Sequence, residues 1–286
     1  MIRRPTRWLP TGCVVLLLAV AVSASAGPWL PMPGEYYSEF TGSHESSNSF
    51  LDAQGNRSRL GFGTLSESRQ LRFCNELGWK KAVSLVLVVP VTSVTLRSEA
   101  PFLNGTQTGL SDFQLGARLK LLGGPTALAL EGDWVGPLGY DRDAVPSLGE
   151  GQQNLGGTVH FGTALERLDG FFQLAWGYVH RFEEPLDRIE HGADLGFWLW
   201  PSVLVAGHYR GSYFVGSSES GREFDSHVAG PELRCRLDDR LDVFAGSSYV
   251  VGGRSLRRSE SYYLGVAVKH TRLDRLQGFL GGTLQP

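Results

Sequence analysis

Cysteine is scarce in this chain, with three residues among 286 at positions 13, 74 and 235. So few exclude the disulfide framework that holds small secreted domains together. An excess of charge of one sign is also missing. The 27 basic residues stand against 29 acidic ones, a formal net charge of −2, which disfavours a nucleic-acid partner. Long apolar runs are confined to one, Cys13 to Val22, and it falls short of the roughly 20 residues that a membrane-spanning helix needs. No long helical stripe of apolar positions appears. Present in quantity are 37 glycines, 15 phenylalanines and 9 tyrosines, set among valines and leucines. That composition favours many strands.

The apolar run follows Arg3, Arg4 and Arg7 and precedes Ser23-Ala24-Ser25-Ala26. This order predicts a signal peptide over residues 1–26, cleaved before Gly27. Arg3-Arg4 lacks the rest of a twin-arginine motif, and Cys13 stands at the start of the apolar run rather than after it, so it is no lipoprotein acceptor. Since the leader holds three arginines, the net charge of −2 becomes −5 for the exported chain. The expected organisation is a lead over 27–34, one domain over 35–270 and a tail over 271–286.

Apolar residues alternate in twelve segments. They lie near 35–45, 66–77, 82–96, 109–122, 126–136, 154–166, 171–182, 191–199, 203–215, 227–237, 241–251 and 260–270. The connections alternate between tight turns (78–81, 123–125, 167–170, 200–202, 238–240) and longer polar loops (46–65, 97–108, 137–153, 183–190, 216–226, 252–259). This rhythm predicts an all-β fold, a transmembrane antiparallel up-and-down β-barrel of about 12 strands in a bacterial outer membrane. Its partners would be membrane lipid and a small-molecule solute.

The faces agree. Phe113, Leu115, Ala117, Leu119 and Leu121 share one side of a strand; Asp112, Gln114, Gly116, Arg118 and Lys120 share the other. Segment 227–237 sets Pro231, Leu233 and Cys235 against Glu232, Arg234 and Arg236. Reversing that strand would put two arginines in lipid, at about 2–4 kcal/mol each near the midplane. Aromatic residues fall at expected strand ends, with Trp79 and Phe172 near the turns and Trp134, Tyr178, Tyr213, Tyr249 and Tyr262 toward the loops. A soluble sandwich or lipocalin-like barrel shares the alternation. It does not explain outward tyrosines, inward charges and alternating loop lengths together. The same parity puts Cys74 inside and Cys235 on the lipid face.

Three stretches carry a resemblance. Thr108-Gly109-Leu110-Ser111-Asp112-Phe113-Gln114-Leu115-Gly116 is similar to a Gly-x-Gly-Asp strand opening, with Ser111 in place of the second glycine. Pro137-Leu138-Gly139 resembles a Pro-x-Gly loop entry, and Gly230-Pro231-Glu232-Leu233 through Arg240-Leu241-Asp242-Val243 a late hairpin. On these the chain resembles the meta-pathway phenol-degradation barrels, a family of porin-like outer-membrane proteins. The resemblance implies passive uptake of hydrophobic or aromatic solutes. The chain departs from the aromatic C-terminal residue common in such barrels, since Phe279 is followed by seven more residues.

Enzyme motifs are absent: no His-Glu-x-x-His, no paired cysteines and no Gly-x-Ser-x-Gly occur. His208 and Ser212 share a face but lie roughly 13 Å apart by strand rise. The acidic stretch Glu183, Glu184, Asp187, Glu190, His191 and Asp194 could hold a cation or resemble a barrel hydrolase; a solvated loop explains it as well. No enzyme activity, cofactor or metal is expected. Strand parity instead predicts a lumen lined by Glu39, Arg72, Glu76, Arg118, Lys120, Glu131, Asp133, Asp194, His208, Arg210, Glu232, Arg234, Arg236, Asp242 and Lys269, with Glu166 and Arg181 also inward. These groups either brace the interior or structure a water channel. The expected function is a passive channel for small solutes, as a monomer or homo-oligomer. The alternatives are a closed structural or partner-binding barrel and, third, a barrel hydrolase.

Overall fold

The computed structural model describes residues 27–141, 144–183, 187–216 and 224–270. The expected leader and tail lie outside these residues. Twelve long antiparallel strands form the wall. They are β1 (Tyr36–Leu51), β2 (Leu65–Lys80), β3 (Val83–Arg97), β4 (Asp112–Leu122), β5 (Thr126–Pro137) and β6 (Asn154–Leu165), then β7 (Gly170–Arg181), β8 (Arg188–Trp200), β9 (Val203–Phe214), β10 (Asp225–Arg236), β11 (Leu241–Arg254) and β12 (Leu256–His270). Each pairs with its sequence neighbours, and β12 returns to β1 from Tyr36↔His270 to Leu51↔Leu256. The result is a closed 12-stranded up-and-down barrel. Closure satisfies the backbone groups that an open sheet edge would leave unpaired in hydrocarbon. No helix among the described residues is long and apolar enough to cross a membrane, so any crossing is made by strands.

Residue parity decides what faces outward. Phe40, Leu71, Phe73, Leu115, Leu119, Leu130, Leu155, Val159, Leu174, Leu195, Leu233 and Leu264 are exposed on the outer wall, which is where a bilayer would cover them. Trp79 and Trp200 are exposed at the short-turn end, and Trp176, Tyr178, Tyr213 and Tyr262 nearer the long loops. Cys74 is buried, Cys235 is half-buried, and both thiols are free.

Several segments differ from the sequence reading. Strand β1 runs on to Leu51 through a bulge after Ser46, and 252–259 is a tall hairpin that turns at Ser255 with φ 54°. Both stretches are polar because they stand in water above the apolar band. Polarity marks solvent there, not loop. Two short strands, Arg57–Arg59 and Gly105–Leu110, extend the sheet at the same end, beside β1 and β3. Glu166 lies exposed in the Glu166–Leu168 turn rather than inside. In the β8–β9 hairpin Trp200 pairs with Val203, and a bulge absorbs one residue after Trp198.

Candidate functional site

The barrel interior is built in layers. Nearest the short turns, residues 27–34 run across the mouth before β1 begins. Gly27 abuts the Gln173 side chain on β7, and Pro28 and Trp29 abut Gly162 on β6. Trp29 Nε1 donates to Gly124 O at 2.9 Å, and Gly34 N to Gly78 O at 2.9 Å. A Cβ at Gly78 would lie 2.1 Å from Met32 O, so only glycine lets this strap seat against β2.

Above the strap sits a buried ionic belt. Arg118, 3% exposed, reaches Glu76 through Nη1 at 3.0 Å and Glu131 through Nε at 2.8 Å. His160 Nε2 lies 2.7 Å from Glu131, and Ser84 Oγ donates to Glu76 at 2.6 Å. On the neighbouring wall Tyr37 donates to the buried Glu39 at 2.7 Å, and Arg234 joins Glu232 at 3.0 Å and Glu39 at 4.0 Å. Buried charges tolerate such surroundings only when paired and hydrogen-bonded.

Beside the belt, between β4 and β10, lies a polar cavity of about 210 Å³. Gln114, Asp133, Thr158, Asp194, Arg210 and Ser226 are among its lining residues. Arg210 grips Asp194 with both terminal nitrogens, at 2.7 and 3.0 Å.

At the long-loop end, residues 138–141 and 144–153 fold inward as a lid. Glu150 accepts from Arg188 Nη1 at 2.7 Å, Arg181 Nη2 at 3.0 Å and Asn154 Nδ2 at 2.8 Å. Its own amide donates to Asp112 at 2.6 Å, and Tyr140 hydroxyl donates to the same carboxylate. Burial pushes the Glu150 carboxyl up, but Arg188 and Arg181 outweigh it and hold it down at about 2. Leu148 packs on Val94, with Tyr140 against both. A second apolar cluster of Leu51, Phe224, Val228, Val250 and Leu256 lies toward the same rim.

Of the residues singled out by parity, Glu39, Arg72, Glu76, Arg118, Glu131, His208 and Asp242 are buried. Lys120, Asp133, Asp194, Arg210, Glu232, Arg234 and Arg236 are half-buried, and Lys269 is exposed. Asp242 meets Arg236 at 3.6 Å and Lys269 at 3.2 Å at the short-turn rim. Asp133 and Lys120 are not brought to any ion-pair partner among the described residues. Asp194 faces His208 in register but is held by Arg210. His208 Nε2 instead shares a 2.9 Å hydrogen bond with Ser248 Oγ, a pairing that depends on β9 and β11 flanking β10. Among the described residues no carboxylate hydrogen-bonds this imidazole, so the serine–histidine contact is not joined there by the third member of a hydrolase triad. Among the described residues no three His, Cys, Asp or Glu side chains cluster as metal ligands.

The sequence reading missed Asn154, His160, Arg188 and the role of Glu150. Parity held the signal for three of them: Arg188 falls on the inward side of β8 with Glu190 and Asp194, and His160 and Asn154 on that of β6 with Thr158.

A closed antiparallel barrel with an apolar outer wall, a charged interior, short turns at one end and long loops at the other has the fold of the outer-membrane channels. An outer-membrane channel from Pseudomonas putida F1 is similar in structure, with a TM-score of 0.71 and 15% identity over 87% of this chain and 100% of that one. The NanC porin is similar at TM-score 0.51 and 10% identity, over 82% of this chain and all of its own. The β domain of the Bordetella autotransporter BrkA gives 0.50 and 12%, over 83% and 100%. No family model matches the chain, and no curated protein matches it in sequence.

Proposed function

We propose that this barrel is a passive outer-membrane channel for small solutes. The observation that carries the reading is the polar cavity inside a closed wall whose outside is apolar. A barrel that only braced a membrane would gain by filling that volume with packed side chains. Gln114, Thr158 and Ser226 offer donors and acceptors to a hydrated molecule, and Asp194 with Arg210 sets a local field. The resemblance to the phenol-degradation barrels implies a hydrophobic or aromatic solute. The charged side of the wall favours a hydrated one, since an apolar solute would strip water from these groups without replacing its hydrogen bonds, while Val135, Leu174, Ala175 and Val179 give the same cavity an apolar side.

Planar-bilayer recording of the purified full chain tests the proposal. Discrete conductance steps are expected. A silent membrane across voltages and salts, with the folded barrel inserted, refutes it. The second reading, a closed barrel, is favoured by the strap across one mouth and the Glu150-pinned lid at the other; it would give that silent membrane.

A further inference from the structure

Four carboxylates line the cavity: Glu131, Asp133, Glu190 and Asp194. Three have cations. Glu131 holds Arg118 and His160, Glu190 holds Arg188 at 2.6 Å, and Asp194 holds Arg210. Asp133 has no ion-pair partner among the described residues; Gln114 hydrogen-bonds it. The backbone also leaves it room. In register, Asp133 stands between Gly116 on β4 and Gly156 on β6. A Cβ at Gly156 would come within 2.3 Å of Asp133 Oδ1, and one at Gly116 within 3.3 Å of its Cβ. Glycine on both flanks keeps this carboxylate clear of neighbouring side chains.

A second acceptor lines the same cavity, one inward position further along β6. Asn154, two residues before Gly156 on the inward side of β6, also lines the cavity and is 2% exposed. Its Nδ2 is committed to Glu150, which fixes the amide orientation, and its Oδ1 has no hydrogen-bond donor. A buried acceptor without a donor is costly unless something visits it. Arg188 and Arg210, the cavity's guanidinium groups, are already engaged by Glu150, Glu190 and Asp194.

We propose that Asp133 and Asn154 form a subsite for a small monovalent cation, inorganic or a primary ammonium, which makes the channel cation-preferring. This rests on the channel reading above. The shared chemistry is positive charge accepted by a carboxylate that no ion pair engages and by an amide oxygen.

Reversal potentials across a salt gradient, in potassium chloride and then in methylammonium chloride, test it on the purified full chain in planar bilayers. Wild type should pass cations over chloride. Asp133→Asn should lower the cation-to-chloride permeability ratio at least about threefold at low salt, whereas Asp52→Asn, on an exposed loop, should leave it unchanged. The salt showing the larger change identifies the occupant. A chloride-preferring wild type overturns the proposal without any variant, so a failure of Asp133→Asn to fold would not shield it. An unchanged ratio in a folded, heat-modifiable Asp133→Asn also overturns it. Conductance with either of these outcomes leaves the channel reading standing; no wild-type conductance removes both.

Discussion

Replacing Arg118 by methionine removes the one guanidinium that serves both Glu76 and Glu131, at 3.0 and 2.8 Å. All three side chains are under a tenth exposed. Water cannot readily take over the role of the lost cation. Ser84 still serves Glu76, and His160 still serves Glu131, so each carboxylate keeps one partner. The expected loss is about 3–5 kcal/mol, the usual cost of breaking a buried pair from one side. Glu76→Gln and Glu131→Gln added to Arg118→Met should restore most of it, because no uncompensated charge remains and the amides still accept from Ser84 and His160. The assay is urea unfolding of the chain folded into phospholipid vesicles, followed by tryptophan fluorescence and by gel mobility before and after heating. By contrast Arg236→Gln, at a wetter 3.6 Å pair, should cost less than about 1 kcal/mol. If Arg118→Met costs no more than Arg236→Gln, the belt is hydrated and the buried-network account is wrong.

The lid should resist mild acid. Because Glu150 titrates at about 2, below an ordinary carboxylate, its stabilising effect is complete above the usual range and is lost as pH falls toward that value. The Glu150 pairs with Arg181 and Arg188 should therefore hold from neutral pH to roughly 5 and fail only below about 4; loop proteolysis that sets in nearer neutrality would point to Asp112, the lid's other anchor, whose carboxyl burial pushes up. Gly78→Val should expel the strap, given the 2.1 Å approach of Met32 O, and raise conductance without loss of heat-modifiable mobility. Unaltered conductance in that variant would show that the strap does not obstruct the path. In the folded barrel an apolar maleimide should label Cys235 and spare Cys74, which is buried beside Val86 and Val88; equal labelling would contradict the assigned faces.

Alternation with a period of two was enough to specify the barrel. Each strand of the wall has water on one side and an apolar medium on the other, so sequence parity alone sorted Phe113 from Gln114 and Leu233 from Arg234. It also put Arg236, Asp242, Asp194 and His208 inside, where the short-turn hairpins set Arg236 opposite Asp242 and Asp194 opposite His208. At 46–51 and 252–259 serine, glycine and arginine interrupt the outward row of apolar residues, so parity carries no such signal and the strands read as loop.

Partners inside the lumen were settled only by closure. Arg118 on β4 meets Glu76 on β2, a strand with which it does not pair, because β3 between them carries the small Ser84 inward. Ser248 reaches His208 across β10 for a related reason, at the inward-facing Gly230. Glu150 finds Arg181 and Arg188 only once its own long loop has folded back into the mouth. A strand's sequence states which way a side chain points. What it meets there depends on strand tilt, on the curvature of the closed wall and on which loops enter, and those are properties of the whole circle.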